Sequence, residues 1–494
     1  MEFNDERDVR IKKRDALVKK GLNPYPSIVQ RTHTCRECFD QFETLSTEKK
    51  EVVVAGRVRS IRRHGGSTFV VLEDESERLQ LFIRKDEVGD EQYAVLKDLI
   101  DMGDFLEGAG ALFLTKTQEK TLHITKFRIL AKALVPLPDQ WYGLHDVETR
   151  YRHRELDLLS NLENRERFKV RSKLVSAMRR FLDERDFLEV ETPILQPIPG
   201  GANARPFSTH HNALDADFYL RIAPELYLKR LIVGGFERVY EIGRLFRNEG
   251  IDHAHSPEFT SMELYWAYVP TRDAFIDFLE EMMHVIIMQS IGALRVNFEG
   301  GTIDFGCAWK RVSFREAVLD ATGIDIDKYR TEEALVVAVK KKKLDIDFSN
   351  CVGVGEHYDQ LFKKTARPAM KQPTWVFDYP IELKPLTKVA PDDPTKSASV
   401  QLIVEGFEII NAYYHELNDP LDQRKRFMEQ ETLRAHGSTE AHYLDNDFLL
   451  ALEYGMPPTS GMGIGIDRLV CLLTNTPNVK DVILFPTLRL KRDE

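Results

Sequence analysis

The sequence predicts an α+β protein with a small N-terminal β-barrel and a larger domain that mixes strands with helices. Three observations lead to this prediction. The chain has 494 residues, which is enough for about three domains at roughly 150 residues each. Residues 51–130 alternate apolar and polar side chains with a period of two, as half-buried strands do. Beyond residue 156, amphipathic helical patterns alternate with short apolar runs.

The composition indicates a globular protein. Hydrophobic residues make up 43% and charged residues 30% of the chain, which excludes global disorder. No run of 18 apolar residues is present, so we expect no membrane span. The charged N-terminus lacks the apolar stretch of a secretory signal, and five cysteines are too few for a disulfide scaffold. We therefore expect a cytoplasmic protein with reduced thiols.

The charge balance constrains the partners only weakly. Lys and Arg total 69 against 79 Asp and Glu, for a net charge of −10. This does not favour nucleic-acid binding, but a local basic face would be sufficient for it. Length, acidity and the absence of repeats favour an enzyme over a scaffold. We expect no membrane and no DNA partner.

The barrel is predicted from five short strands and one helix. The strands are expected at residues 52–58, 68–72, 78–83, 105–114 and 122–129, and the helix at 90–100. This pattern favours a closed barrel of the oligonucleotide-binding type, although other small β folds share it. We assign residues 1–48 to a helical extension and 49–135 to the barrel.

The second domain is predicted to span residues 156–494, after a hinge at 136–155 that is rich in proline and aromatic residues. It opens on an amphipathic helix at 167–186, which leads into a short strand ended by Pro193. Residues 314–373 are polar and helix-like, and we interpret them as a helical insertion.

Common nucleotide and metal signatures are missing. The chain has no G-x-x-x-x-G-K-[ST] loop and no G-x-G-x-x-G turn that opens a βαβ unit. Cys35 and Cys38 form a C-x-x-C pair, but the other three cysteines are isolated. Since a four-ligand zinc site needs a second pair, we interpret these two as structural thiols.

Three separated segments carry a specific resemblance. They are the helix that runs into Glu191-Thr192-Pro193, the segment from Phe246-Arg247-Asn248-Glu249 to Phe259, and Gly461-Met462-Gly463-Ile464-Gly465-Ile466-Asp467-Arg468. In this order and spacing they resemble the three signature motifs of the class II aminoacyl-tRNA synthetases. Further segments, such as Arg221-Ile222-Ala223-Pro224-Glu225-Leu226 and Glu453-Tyr454-Gly455-Met456-Pro457-Pro458-Thr459, look like the lysine-specific branch. The match spans nearly the whole chain.

The resemblance implies a catalytic domain built on an antiparallel sheet flanked by helices, and a homodimer whose interface includes the motif-one helix and Pro193. It implies that L-lysine and ATP react to lysyl-adenylate and pyrophosphate, and that lysine then passes to the 3′-terminal adenosine of its tRNA. Such chemistry depends on positioning and charge neutralisation more than on covalent catalysis.

The resemblance also implies an ATP site. Arg247 and Arg468 are the expected catalytic residues, because a guanidinium fork matches paired phosphate or carboxylate oxygens. Arg247 would bind the α-phosphate and the substrate carboxylate, and Arg468 the γ-phosphate and one adenine face. The full ATP-binding set is Arg247, Glu249, His255, Phe259, Glu408 and Arg468.

A lysine pocket needs buried carboxylates, because a desolvated ammonium without a partner is strongly disfavoured. The residues that the resemblance assigns to it are Gly201, Glu225, Glu263, Tyr265, Asn411, Tyr413 and Glu416. Sequence alone leaves open that Lys229 or Arg238 neutralises these acids instead.

The anticodon-binding residues expected in the barrel are Arg62, Phe69 and Gln80. A phenylalanine offers a stacking face and a glutamine a hydrogen bond to a base edge, which is how single-stranded RNA is read. The alternative is core packing for Phe69 and an exposed strand face for Gln80.

Three departures from the family pattern stand out. Gln401 replaces a magnesium-binding glutamate, so that Glu408 and Gln401 are the expected metal ligands for the Mg²⁺ that accompanies ATP. The segment from Asn411 to Glu416 is one residue longer than usual, which leaves Tyr413 and Tyr414 as competing pocket residues. Ala254 and Ser256 flank His255 where Arg and Asn are common.

Two alternatives remain for the function. An aspartate– or asparagine–tRNA ligase of the same subclass would need cationic or amide groups where Glu225 and Glu263 stand. A non-enzymatic or regulatory RNA-binding paralogue would not need Arg247, Glu249, Phe259 and Arg468, all of which are present.

Overall fold

A computed structural model of the chain describes residues 4–137, 146–349, 351–384, 387–435 and 442–489. The chain divides into two units, residues 1–145 and 146–494. Part of the expected hinge, residues 138–145, lies outside the described residues. From Val147 onwards it is helical, in α6 Val147–Arg152 and the start of α7 Arg154–Ser160.

The described residues of the first unit form five helices and five strands. The helices are α1 Asn4–Lys19, α2 Cys35–Asp40, α3 Phe42–Thr47, α4 Lys85–Val88 and α5 Asp90–Asp98. The strands are β1 Val52–His64, β2 Ser67–Glu73, β3 Arg78–Arg84, β4 Phe105–Leu114 and β5 Lys120–Ala131. They close into a barrel in the order β1-β2-β3-β5-β4, which confirms the predicted barrel.

The N-terminal extension shares the core of this barrel. Leu17, Cys35 and Phe42 are buried in the same hydrophobic cluster as the inward-facing strand residues. Burial raises the pKa of the Cys35 and Cys38 thiols to about 12, so both stay neutral. Side chains from α1, α2 and α3 therefore belong to the core of the barrel.

The second unit is larger. Its helices are α6 Val147–Arg152, α7 Arg154–Ser160, α8 Leu162–Asp183, α9 Glu225–Val233, α10 Arg272–Ile291, α11 Phe314–Thr322, α12 Glu332–Lys341, α13 Gly353–Lys364, α14 Pro420–Ala435, α15 Asn446–Glu453 and α16 Ile466–Leu473. Its strands are β6 Leu188–Glu189, β7 Leu195–Gln196, β8 Ser208–His211, β9 Ala216–Leu220, β10 Arg238–Phe246, β11 Glu258–Ala267, β12 Arg295–Phe298, β13 Gly301–Asp304, β14 Lys310–Ser313, β15 Thr374–Phe377, β16 Val389–Ala390, β17 Asp393–Ser397, β18 Ser399–Val404, β19 Phe407–Tyr413 and β20 Thr459–Gly465.

Eight of these strands form one sheet in the order β14-β15-β18-β19-β20-β11-β10-β6. Its central neighbours, from β15 to β10, pair antiparallel, and only the two outer pairs, β14·β15 and β6·β10, are parallel. Helices α8, α10 and α16 bury their apolar side chains against one face, in the main core of the unit. The predicted antiparallel sheet flanked by helices is confirmed.

Two local features add to what the periodicity in the sequence predicted. Helix α8 begins at Leu162, five residues before the expected start, because residues 163–167 are all polar or charged and give no apolar periodicity. Residues 314–373 contain α11, α12 and α13, which pack around a separate core that includes Phe314 and Tyr379. In the part of the chain that the structure describes, no helix is long and apolar enough to cross a membrane.

Candidate active site

A deep cavity lies on the open face of the large sheet, opposite the face covered by α8 and α10. Its walls come from β10, β11, β19, β20 and the loops beside them. The expected ATP and lysine residues line it with one exception, Glu416; those present are Gly201, Glu225, Arg247, Glu249, His255, Phe259, Glu263, Tyr265, Glu408, Asn411, Tyr413 and Arg468. Gln401 lines it as well.

Strand periodicity explains this convergence. Along β11, Phe259, Glu263 and Tyr265 occupy alternate positions and face the cavity, whereas Met262 and Leu264 point into the core. Antiparallel pairing sets Glu263 opposite Gly463 of β20, and Asn411 of β19 pairs with the same glycine. Three strands thus present polar groups to one volume.

One end of the cavity is cationic and aromatic. The Arg247 guanidinium carbon lies 5.1 Å from the centre of the Phe259 ring. Its Nε is buried and has no hydrogen-bond partner among the described residues. Arg468 Nη2 lies 3.2 Å from His255 Nε2, and Asp252 holds His255 Nδ1 at 2.9 Å. Desolvation lowers the pKa of Arg468, while the neighbouring Glu408 acts in the opposite direction.

A second set of residues, not anticipated from the sequence, fixes this end. Arg171 of α8 forms an ion pair with Asp467 and donates to Thr260 Oγ1 at 2.8 Å. The Thr260 N–H donates to Asp467 Oδ2 at 3.0 Å. Arg171, Thr260 and Asp467 therefore link α8 of the first motif, β11 of the second motif and α16 of the third motif. Asp467, an acidic residue at the start of the otherwise apolar helix α16, is the feature of the sequence that could have indicated this linking role.

The other end of the cavity is acidic. Lys229 Nζ lies 2.6 Å from Glu225 and 2.8 Å from Glu416, and all three side chains are buried. Glu263 has no ion-pair partner among the described residues. Burial and the neighbouring Glu225 raise the pKa of Glu263 to about 8. Lys229 thus neutralises part of the acidic cluster, as the sequence left open, but Glu263 keeps an unmatched carboxyl group.

Arg238 is not part of this cluster. Its guanidinium lies 3.8 Å from Asp186 and packs over Trp266, outside the cavity. The alternative in which Arg238 neutralises the acids is wrong.

The structure also distinguishes the two tyrosines. Tyr413 lines the cavity and its hydroxyl accepts a hydrogen bond of 2.9 Å from Asn411 Nδ2. Tyr414 is buried in the main core, with Arg272 over its ring.

The segment that follows the two tyrosines positions Glu416. Strand β19 ends at Tyr413, and the next residues lie beside the start of β20, where the Glu416 N–H donates to Thr459 O. Glu416 therefore lies behind the wall of the cavity, and its burial raises its pKa to about 7.

Gly461 leaves room for the acidic end. A Cβ at this position would lie 2.5 Å from Glu416 Oε1 and 2.5 Å from Tyr265 Cε1. Both distances are too short for a real contact, so both side chains would have to move. Gly201, with a φ of +86°, approaches Glu225 from the other side.

We expect Gly461→Ala to weaken lysine binding by about tenfold or more, because overpacking typically costs about 1–3 kcal/mol. Calorimetric titration with L-lysine measures the effect. Gly465→Ala is the matched control on the same strand, since its Cβ would meet nothing nearer than Arg468 Cδ at 4.0 Å. Equal lysine affinities for the two variants would show that Gly461 is remote from the bound amino acid.

The two expected metal ligands differ. Glu408 presents its side chain to the cavity. Gln401 uses both of its polar atoms within the protein: Oε1 accepts from the Tyr379 hydroxyl at 2.6 Å, and Nε2 donates to Asn411 Oδ1 at 3.1 Å. Among the described residues, no group of three or more His, Cys, Asp and Glu side chains is arranged to hold a metal ion.

The barrel presents its own candidate surface. Gln80 is buried and held at both ends, since it accepts from Arg62 Nη2 at 2.6 Å and donates to Thr121 Oγ1 at 3.0 Å. Phe69 is half-buried, with its ring centre 4.8 Å from that of Phe82. An exposed strand face for Gln80 and core packing for Phe69 are therefore both wrong. An aromatic row continues from Phe82 to Phe113 and His123, which the sequence did not single out.

Comparisons with known proteins place both units. A family model described as class II tRNA synthetases (D, K and N) matches residues 146–489. A model described as an OB-fold nucleic acid binding domain matches residues 52–130. Similar proteins include a lysine–tRNA ligase from Roseiflexus castenholzii, 48% identical over 490 residues that cover 99% of each chain. Others are the lysine–tRNA ligases of Carboxydothermus hydrogenoformans, 46% identical with 99% of each chain covered, and of Bacillus subtilis, 44% identical with 99% of this chain and 98% of the relative covered.

Proposed function

Because the chain belongs to the class II aminoacyl-tRNA synthetases, and within them to the lysine–tRNA ligases, we propose how its cavity carries out lysine activation. ATP occupies the cationic end and L-lysine the acidic end. The lysine carboxylate attacks the α-phosphorus, pyrophosphate leaves, and lysine then passes from the adenylate to the 3′-terminal adenosine of the tRNA. The observation that supports this most strongly is the unmatched carboxyl group of Glu263 at the acidic end.

At the ATP end, Arg247 binds the α-phosphate and the lysine carboxylate. Its buried, unpartnered Nε suits this role, because a bound oxyanion supplies the missing acceptor. Phe259 stacks on one adenine face and Arg468 covers the other while it contacts the γ-phosphate. Glu249 accepts from the adenine amino group, and His255, held by Asp252, contacts the outer phosphates.

At the lysine end, Glu263 and Glu225 face the substrate ammonium groups, and Glu416 acts from behind the wall through its ion pair with Lys229. Tyr265, Asn411, Tyr413 and Gly201 shape the pocket. Lys229 forms ion pairs with Glu225 and Glu416 and so neutralises one of the negative charges of the acidic cluster. A substrate ammonium group completes the neutralisation of the cluster. Aspartate would add a further carboxylate to this cluster, which argues against the aspartate-specific alternative.

Calorimetric titration with L-lysine, L-methionine and L-aspartate tests this assignment. We expect lysine to bind at least a hundredfold more tightly than the other two, because the buried carboxyl groups gain a partner from a substrate ammonium and none from a methionine or aspartate side chain. Methionine affinity within tenfold of that of lysine would contradict the role of the carboxylates.

Magnesium fits this cavity as a companion of ATP. Glu408 is the carboxylate that would hold it, and Gln401, whose carbonyl oxygen is already engaged by Tyr379, would contribute little. Mg²⁺ usually takes one or two carboxylates together with substrate phosphates. Bound in this way it would supply charge neutralisation for the phosphates.

The barrel binds the tRNA anticodon through Arg62, Phe69 and Gln80. The half-exposed Phe69 ring offers a stacking face, whereas contact of Gln80 with a base edge requires it to exchange its hydrogen bond with Arg62 or Thr121 for one to the base.

We expect the double variant Phe69→Ala with Gln80→Ala to raise the tRNA Michaelis constant about tenfold or more, since base stacking is worth about 1–3 kcal/mol per base. Pyrophosphate exchange, which does not involve tRNA, is the internal control and should stay unchanged. Normal aminoacylation of the tRNA by the variant would remove these residues from the interface.

We also propose that the chain acts as a homodimer. Leu188, Ile194 and Leu195 lie next to the motif-one segment and are almost half exposed, at 46%, 45% and 48%. Apolar side chains clustered in this way are typical of subunit interfaces. Light scattering of the full chain, with Ile194→Asp as the disruptive variant, tests the assembly.

A further inference from the structure

A half-buried lysine of no assigned role lines the cavity. Lys384 follows a 3₁₀ turn at Ile381–Leu383, and its Nζ donates to Asn411 Oδ1 at 3.0 Å. The ammonium also lies 5.2 Å from the ring centre of Tyr379 and 5.7 Å from that of Tyr413. No carboxylate of the described residues forms an ion pair with it.

Lys384 belongs to the same hydrogen-bonded cluster as Gln401. Asn411 Oδ1 accepts from both Lys384 Nζ and Gln401 Nε2, and Tyr379 donates to Gln401 Oε1. The charged groups that act on Lys384 are Glu408, Asp359, Glu225 and Lys363, of which Glu408 is the strongest. The place where two carboxylates would hold a metal ion therefore contains one carboxylate, two amides and an ammonium.

This arrangement is unfavourable without a ligand. A buried ammonium that lacks an anionic partner is disfavoured, and desolvation lowers the pKa of Lys384 accordingly. Two aromatic faces and one amide oxygen compensate only part of the lost hydration. An anion of high charge, entering between Arg247 and Glu408, would supply the missing partner. The polyphosphate of ATP is such an anion.

We propose that Lys384 is a phosphate-binding residue of the adenylation site, and that its ammonium takes over part of the neutralisation that divalent cations supply. The inference rests on the proposed placement of ATP at the cationic end of the cavity. An ammonium can neutralise phosphate oxygens as a point charge. ATP should therefore bind this chain with little dependence on Mg²⁺. A glutamate at position 401 would form an ion pair that holds Lys384 away from the phosphates, and the neutral Gln401 avoids this.

Calorimetric titration with ATP, in excess EDTA and again in saturating Mg²⁺, tests the proposal on the full chain. We expect wild-type ATP affinity to fall less than about tenfold in EDTA. Lys384→Met should bind ATP about tenfold or more weakly than wild type in EDTA, as for loss of one hydrogen bond to a charged group, and should recover most of its affinity in Mg²⁺.

Lys363→Met is the matched control. Lys363 also lines the cavity, but its ammonium is paired with Asp359 at 2.6 Å. Its ATP affinity in EDTA should stay within about twofold of wild type. Lys384→Arg keeps the charge and should retain binding in EDTA, which separates loss of the cation from a packing defect. Thermal unfolding of each variant checks that the fold is intact.

Two results would overturn the proposal. One is equal ATP affinity of wild type and Lys384→Met in EDTA. The other is unchanged ATP affinity together with tighter lysine binding by Lys384→Met, which would make Lys384 an occupant of the lysine pocket through Asn411. Lysine-dependent pyrophosphate exchange by the wild-type chain tests the proposed function separately, so failure of one is distinguishable from failure of the other.

Discussion

Replacing Arg247 by alanine is expected to lower lysine-dependent pyrophosphate exchange by at least about a hundredfold, the loss typical of one donor that stabilises a transition state. The guanidinium lies over Phe259 and its buried Nε has no partner among the described residues. Negative charge on the α-phosphate oxygens would meet a donor that is already in place and already dehydrated. A preorganised donor of this kind acts without reorganisation during the reaction.

The matched control is Arg244→Ala, on the same strand. Arg244 is exposed and its guanidinium lies 3.6 Å from Glu258, so its removal should change exchange by no more than about twofold. Exchange by Arg247→Ala within a few-fold of wild type would remove this residue from the mechanism. Thermal unfolding of both variants identifies any loss that comes from the fold.

The second large effect is expected from Glu263 and its pH dependence. Burial and Glu225 raise the pKa of this carboxyl to about 8, so it is mostly protonated at pH 7 in the ligand-free protein. Only the carboxylate attracts the substrate ammonium, so lysine binding must release a proton. Lysine affinity should therefore rise up to about tenfold per pH unit between pH 6 and 8, and level off above pH 8.

Glu263→Gln keeps the shape and removes the charge. We expect it to weaken lysine binding at pH 8 by at least about a hundredfold, the size of effect seen when one partner of a buried charge pair is lost, and to reduce the pH dependence. Calorimetry in buffers of different ionisation enthalpy measures the proton release directly. ATP affinity is the control and should persist. Identical pH profiles for lysine binding to the variant and to wild type would assign the titration to another group.

Local patterns in the sequence predicted much of the fold. Alternation along residues 51–130 predicted the barrel, because each strand has one face in the core. The same period of two explains why Phe259, Glu263 and Tyr265 share a face of β11. The signature motifs indicated which residues would meet, and the structure brings nearly all of them to one cavity.

Contacts between distant segments were not predictable in the same way. Arg171 reaches Asp467 across nearly 300 positions of sequence, and no periodicity marks that pair. The choice between Tyr413 and Tyr414 depended on where β19 ends. No sequence pattern distinguishes Lys384 from other loop lysines, whereas in the structure its ammonium donates to Asn411 Oδ1 inside the cavity.

Amino-acid-dependent exchange of pyrophosphate into ATP, measured with each of the twenty amino acids, tests the central claim most directly. We expect lysine to support exchange at least a hundredfold faster than any other amino acid, and Glu263→Gln to lower that rate with lysine. Exchange that depends on aspartate or asparagine would contradict the lysine pocket. No exchange with any of the twenty amino acids would contradict the adenylation site itself.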